Sequence, residues 1–547
     1  MGKRRRRSDS DDSDYDDLDY SNSSTRAKHR QVKSKNPAQK KTKSTTAASV
    51  TETDASPTPR HAKSLHIIDV PTSFGIQSSL VEWFDDVRDS RGMPWRKPFD
   101  EGLGREERAQ RAYEVWVSEI MLQQTQVATV IPYYNKWMAK FPTIRQLAAA
   151  SIEDVNALWK GLGYYSRASR LLAGAQKVVK DYKGILPDNA KDMEANIPGI
   201  GRYSAGAICS IAYGERVPVL DGNVHRLLSR LLALHASPKA KPTLDILWAA
   251  AEALVQDASS ADKSPYFAKE KSTSYHPGDI NQALIELGST VCKVRDPLCS
   301  ECPLRSRCHA YTFSTKSDHS PDIPDIEDAC SLCEPLPEGS EVTVYPMKAE
   351  RKKAREEMDL VNVVEWRSVD NPEDRRFLLV KRPEKGLLAG LYEFITMPNI
   401  SATTKGELLK LTSTQLSSLF GDSFGILDFD SIQSQKEQAH DNSCHVADVV
   451  SVGDVLHVFS HIKKTYRTQW VVLQGGSSPP AFASSPAANV SGQKRTSKKR
   501  ADTENSNVFQ QAMWATLTEV PKANIGTGVG KVWSLVEAHW KNNILQH

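Results

Sequence analysis

The sequence predicts a multidomain chain, an all-α domain followed by a smaller α+β domain, and three observations carry that expectation. From Ser64 to about Arg307 apolar residues recur at three- and four-residue steps, and convincing strands are missing. After a connector rich in Asp, Pro, Ser and Lys the pattern changes to short extended runs separated by turns. At the end of the helical part, Cys292, Cys299, Cys302 and Cys308 fall within seventeen residues of a chain that has only eight cysteines. The expected organisation is a polar tail at 1–64, the all-α domain at 65–311, the connector at 312–355 and the α+β domain at 356–547.

Helical periodicity covers 78–88, 113–131, 145–159, 166–181, 190–196, 202–213, 223–234, 243–256 and 280–290. The polar stretches 97–112 and 259–279 read as insertions, the first separating Pro94-Trp95-Arg96 from the helix that follows. Extended runs are expected at Val361–Trp366, Phe377–Lys381, Leu391–Thr396, Val455–Phe459 and Thr468–Leu473. A Ser/Pro/Ala/Lys tract at 476–507 has the composition of a disordered insertion and carries Lys494-Arg495 and Lys498-Lys499-Arg500. A last helix, Gly530–Trp540, is expected to pack on the β-rich domain, and no internal repeat is visible.

Net charge is only +4, but it is unevenly placed. Lys3-Arg4-Arg5-Arg6-Arg7 opens the chain, an Asp/Ser block follows at 8–22, and basic residues return through Lys43. Such a segment lacks the apolar content to fold. Its basic cluster reads as a nuclear localisation signal, a reading compatible with a solvated tail that assists nucleic-acid binding. The nucleus is the expected location, with delivery to mitochondria left open. No apolar run is long enough for a membrane-crossing helix.

The cysteine spacing is C-x6-C-x2-C-x5-C. Four thiolates can hold a [4Fe–4S] cluster or a zinc ion. Structural zinc usually comes as two short knuckles, whereas this is one compact run with unequal gaps, which favours the cluster. Upstream, Ile197-Pro198-Gly199-Ile200-Gly201-Arg202 lies between helical segments. Gly199 and Gly201 let the chain turn tightly and expose N–H groups at a helix start, an arrangement that suits a phosphate; an ordinary interhelical turn has the same composition. Asp221 ends the apolar run Val217–Leu220 and opens a helix, where a plain N-cap needs only such a residue. Glu119 shares a helix face with Val115 and Leu122, so burial should raise its pKa. A salt-bridged glutamate on an amphipathic helix is the commoner alternative.

Together, SEIMLQQTQV (118–127), GLGYYSRA (161–168), IPGIGRYSAGAI (197–208), LDGNVHR (220–226) and the cysteine run resemble, in order and approximate spacing, the adenine DNA glycosylases of the MutY type. The resemblance is strong over about 65–315 and weaker in the later β region. It implies a helix-hairpin-helix glycosylase domain of the endonuclease III superfamily with a [4Fe–4S] loop, then a Nudix-like domain. By similarity Glu119 protonates adenine at N7 and later positions water. Asp221 stabilises the oxocarbenium-like sugar, with Asn223 and Tyr203 in support. Trp95, Arg96, Leu122 and Gln282 match positions around the extruded adenine; for Gln282 an ordinary helix-surface amide is an equal reading. Gln123, Gln124 and Tyr164 match residues that enter or flank the emptied stack, because the glycosidic bond is inaccessible within the duplex. Bifunctional relatives carry a lysine nucleophile where this chain has Tyr203, so the expected product is an abasic site.

Lys381-Arg382-Pro383 and Gly386–Phe394 resemble a Nudix-like fold without its downstream magnesium-binding carboxylates, which implies lesion reading rather than nucleotide hydrolysis. Phe459-Ser460-His461 resembles the loop that inspects 8-oxoguanine; a strand-end turn is the plainer reading. Cys330-x2-Cys333 lies in the connector, where animal relatives place zinc ligands together with one catalytic-domain cysteine. That position corresponds to Ser229 here, no third ligand is assignable, and zinc at Cys330/Cys333 is therefore in doubt. Cys209 and Cys444 read as ordinary packed or surface residues.

The expected function is monofunctional excision of adenine paired with 8-oxoguanine or guanine. Duplex DNA is the expected partner, its backbone met by a basic loop with Lys293 and Arg295 that the cluster shapes. A sliding or checkpoint clamp is implied at the connector, although no convincing clamp-binding peptide is found there. No membrane association is expected, and the chain should act as a monomer. An endonuclease III-like glycosylase/lyase for oxidised pyrimidines is disfavoured by Tyr203 and the added β domain. A silent lesion-binding scaffold is disfavoured by Glu119 and Asp221, because DNA binding gains nothing from carboxylates near phosphate.

Overall fold

The computed structural model describes residues 61–256, 275–315, 325, 327–337, 339–349, 353–371, 373–383, 388, 390–401, 404–421, 444–459, 462–482 and 512–544. The basic clusters at 3–7 and 494–500, most of the 476–507 tract, Gly386, Ser460 and His461 lie outside these residues. Two compact units emerge: residues up to 149 with 173–350, and residues 150–172 with 351–547.

The first unit is helical. It contains α1 (Val70–Val87), α2 (Arg105–Leu122), α3 (Val127–Lys140), α4 (Ile144–Ala148), most of α6 (Ser166–Tyr182), α7 (Ala190–Asn196), α8 (Arg202–Ile208), α9 (Gly222–Leu231), α10 (Lys241–Val255), α11 (Pro277–Thr290) and α12 (His309–Thr315). The all-α reading holds, with local corrections. The expected insertion 97–112 gives way to helix at Arg105, because polar residues on the exposed first turns hide the periodicity while Glu107 accepts from the Gly104 N–H at 2.8 Å. The expected helix 113–131 is broken at Gln123–Gln126, where Gln124 has φ 53°. The insertion 259–279 ends early, at the helix starting with Pro277. The core is lined by Trp116, Tyr113, Met121, Trp137 and Leu284, all essentially buried. No described helix is long and apolar enough to cross a membrane.

Two close approaches set this unit's geometry. A Cβ on Gly206 of α8 would stand 2.5 Å from the Pro218 carbonyl oxygen, and one on Gly288 of α11 would stand 2.7 Å from that of Asn223. Glycine thus lets α8 and α11 press against the segment that carries Asp221.

In the second unit, α5 (Ile152–Trp159) and the loop after it join a mixed sheet. Its strands are β1 (Arg355–Arg367), β2 (Arg375–Lys381), β3 (Tyr392–Glu393), β4 (Ile395–Met397), β5 (His445–Val458), β6 (Ile462–Gln474) and β7 (Ala512–Thr516). The order is β3-β2-β1-β6-β5, with β4 on β1 and β7 on β2. β1 and β6 run parallel, with Val361 opposite Thr468. Side chains alternate between two cores. Val361, Val363, Phe377 and Leu379 face Val532, Trp533 and Val536 of α14 (Thr527–Ile544). Val364, Trp366, Leu378 and Val380 face Leu409, Leu416 and Leu419 of α13 (Lys405–Phe420). This is an α+β architecture, a sheet covered by a helix on each face. The expected strands are present, but longer, and the run at Leu391–Thr396 divides at Phe394. β7 and α13 were not anticipated.

Candidate active site

Glu119 sits in the last turn of α2, 9 % exposed. Its Oε2 accepts a hydrogen bond from the Tyr203 hydroxyl on α8 at 2.8 Å. Burial pushes the carboxyl up to about 7; the Tyr203 hydrogen bond opposes that, the charge of Asp221 adds to it, and Arg96 opposes it. The apolar helix face read from the sequence therefore has the expected electrostatic consequence.

Asp221 is the N-cap of α9, its Oδ1 accepting from the Val224 N–H at 2.7 Å. The other carboxylate oxygen accepts from Asn223 Nδ2 at 2.9 Å. Burial raises this pKa, while the Val224 and Asn223 hydrogen bonds and then the Arg226 charge lower it. The capping reading of Asp221 is met by this geometry. Tyr203, Glu119, Asp221 and Asn223 come together from α2, α8 and α9, although they span about a fifth of the chain.

Arg96 pairs with Glu286 of α11 at 2.8 Å, and Arg91 reaches the same carboxylate at 3.1 Å. Trp95 is buried edge-on to Tyr134, with ring centroids 5.1 Å apart. Gln282 is buried, so the surface-amide reading fails; its Nε2 donates to the Gly278 carbonyl at 3.1 Å, one turn back on α11. Leu122 closes α2, and Gln123 and Gln124 beyond it are exposed. The hairpin turn between α7 and α8 exposes Gly199, whose φ of +82° favours glycine, and Gly201 is the N-cap of α8. Tyr164 and Phe459 lie in the second unit.

Sequence reading missed Arg226. Its guanidinium donates to Asn223 Oδ1 and to the carbonyls of Gly288 and Cys292 at 2.8–2.9 Å, joining the Asp221 helix to the cysteine loop. Arg230, one turn further, donates to Cys292 Sγ at 3.2 Å and to the Tyr345 carbonyl at 3.0 Å. Both occupy the buried face of α9, where arginine runs against expectation and no local signal distinguishes bridging from exposure.

Cys292, Cys299, Cys302 and Cys308 line one pocket with Leu227, Leu231 and Leu304. Burial pushes the Cys302 thiol up to about 11 and the Cys308 thiol up to about 12. The tighter donor set lies elsewhere: His61, His66, Cys330 and Cys333 place their ligand atoms within 4.8 Å of one another. His66 Nε2 is 2.9 Å from His61 Nε2, 3.5 Å from Cys330 Sγ and 3.4 Å from Cys333 Sγ. The second ring nitrogen, Nδ1, lies 2.9 Å from the Leu232 carbonyl, which fixes the ring. The expectation that no further ligand joins Cys330 and Cys333 is overturned. Ser229 is not the partner, for its hydroxyl donates to the His225 carbonyl at 2.7 Å.

A helical unit whose α7–α8 hairpin brings Tyr203 to a buried Glu119 matches the helix-hairpin-helix class of DNA glycosylases. The family model described as "HhH-GPD superfamily base excision DNA repair protein" matches residues 117–253. The chain is 37% identical to the adenine DNA glycosylase of Rattus norvegicus over 483 residues, covering 86% of this chain and 80% of the relative. It is 39% identical to that of Homo sapiens over 422 residues, covering 74% and 68%, and 34% identical to that of Schizosaccharomyces pombe over 412 residues, covering 71% and 80%. The chain belongs to the adenine DNA glycosylase family.

Proposed function

We propose that this glycosylase is monofunctional and removes adenine paired with 8-oxoguanine or guanine, leaving an abasic site. The observation that carries the reading is the hydrogen bond from Tyr203 to Glu119. A phenol stands where a lyase needs an amine, and it holds an acid whose pKa lies near the working pH. Glu119, protonated, donates to the departing base. Asp221, held by the Val224 N–H and Asn223, offers negative charge to the sugar as C1′ becomes cationic. Once ionised, Glu119 takes a proton from the water that completes the abasic site. Trp95, Arg96, Leu122 and Gln282 are assigned to the adenine pocket, and Gln123, Gln124 and Tyr164 to the vacated stack. Gly199 and Gly201 are assigned to a backbone phosphate, and Phe459, Ser460 and His461 to the opposite base.

The test is single-turnover excision on duplexes with adenine opposite 8-oxoguanine, guanine or thymine, with and without alkali. The proposal expects adenine loss fastest opposite 8-oxoguanine, with strand breaks only after alkali. Strand cutting without alkali, or no adenine release, would sink it.

Two metal groups accompany this reading. The cysteine quartet suits a [4Fe–4S] cluster: four thiols share one apolar pocket, and Arg230 donates to one of them. The cluster would be chiefly structural, shaping the loop that carries exposed Lys293 and Arg295. The His61/His66/Cys330/Cys333 set suits a closed tetrahedral zinc ion, which supplies no chemistry beyond clamping the segment at 61–66 to the connector. The same strands of chain already meet there, with the Cys330 N–H donating to the His61 carbonyl at 2.8 Å. A sliding or checkpoint clamp at the connector, action as a monomer, and nuclear import through the basic clusters complete the proposal.

A further inference from the structure

Tyr164 carries the most telling backbone conformation in the second unit. It is 47% exposed and has φ +47°, a region that bulky side chains rarely adopt. Its loop is braced from within. Trp159 Nε1 donates to the Gly163 carbonyl at 2.9 Å, and the Arg167 guanidinium lies over the Trp159 and Tyr164 rings at 5.4 and 5.3 Å. Gly161 and Gly163, with φ of 104° and 74°, permit the turn.

The loop is also braced from the sheet. Lys160, the C-cap of α5, donates through Nζ to the carbonyls of Pro521 and Ala523 at 2.5 and 3.1 Å. A second tether, Lys381 to Glu153 at 3.0 Å, reaches the same corner. Lys381 is the register partner of Tyr392, whose N–H donates to the Asn524 carbonyl at 2.8 Å. Just beyond that turn, α14 begins. A Cβ on Gly528, in its first turn, would stand 3.0 Å from the Tyr466 ring and 3.3 Å from the His457 ring. His457 in turn meets the Phe459 ring edge-on, with centroids 4.5 Å apart. Packed groups therefore run from His457 and Phe459 at the end of β5, through the start of α14 and the 521–525 turn, to Lys160 and the Tyr164 loop.

We propose that Lys160 is a positioning residue that ties the Tyr164 wedge to the β5–β6 hairpin, so that adenine extrusion depends on the base opposite. This rests on the assignments of Tyr164 to the vacated stack and of Ser460 to the opposite base. A double-mutant cycle measures this coupling.

The experiment uses the full-length protein as K160M, K160R, S460A and K160M/S460A. Single-turnover excision is followed opposite 8-oxoguanine and opposite guanine, with 2-aminopurine at the target position reporting extrusion by fluorescence. K160M should lower the preference for 8-oxoguanine over guanine by about three- to tenfold and slow extrusion, K160R should retain most of both, and the double variant should lose no more than the larger single loss. The proposal is overturned if K160M lowers both rates equally with extrusion intact, or if the two losses multiply. Should S460A leave the preference unchanged, the lesion-reading assignment fails by itself, and the link to the hairpin falls with it. If K160M does not fold, K381M cuts the other tether and must show the same selective loss.

Discussion

Burial raises the Glu119 carboxyl to about 7, and that has two consequences. Excision should decline as pH rises through about 7, because the general acid is lost. In Y203F the hydrogen bond that lowers this pKa is gone, so the decline should move to higher pH in a single-turnover pH profile. Stability follows the same proton. With the folded-state pKa raised above its unfolded value, the favourable contribution is complete below the ordinary glutamate range. It is lost as pH rises through about 7, an effect on the order of 3 kcal/mol. E119Q, which keeps an acceptor for Tyr203, should therefore melt above the parent protein at pH 8 but not at pH 5, while losing excision.

At the scale of elements, α9 is the keystone. Asp221 caps it, Arg226 and Arg230 on its buried face grip the cysteine loop, and Gly288 admits α11 alongside Asn223. Capping and catalysis make separable demands on Asp221. Asparagine caps about as well as aspartate, whereas alanine costs about 1 kcal/mol. D221N should thus melt close to the parent, D221A clearly below it, and both should lose excision by at least about a hundredfold. If D221N keeps its activity, the carboxylate is only a cap and the mechanism proposed above is wrong.

At the scale of the whole molecule, the described chain is two units, each with a donor set or packed path linking residues far apart in sequence. Replacing zinc by cobalt gives the measurement for the first unit. Full-length protein should take up one cobalt with the visible absorption of a tetrahedral thiolate–imidazole site, and H66Q or C333S should abolish it without releasing iron. Absorption unchanged in both variants would place the metal elsewhere.

How much of this was legible beforehand depends on how local the physics is. The all-α part, most strands, the four-cysteine loop and the identities of Glu119, Tyr203 and Asp221 were readable, because periodicity, spacing and motif order are properties of neighbouring residues. The pKa of Glu119 was readable in direction too, since an apolar helix face already implies burial. The polar first turns of α2 concealed a helix, and α13, with its mixed Ser/Thr/Leu composition, gave too weak a stripe. The sequence by itself determined the chemical groups of the candidate site, two carboxylates, a phenol and an amide. Only the tertiary structure decided that His61 and His66 meet Cys330 and Cys333, that Arg226 joins Asn223 to the cysteine loop, and that the segment 150–172 belongs with the sheet. Each of those is a contact between residues separated by tens to hundreds of positions, and chain closure over such distances leaves no periodic mark on either partner.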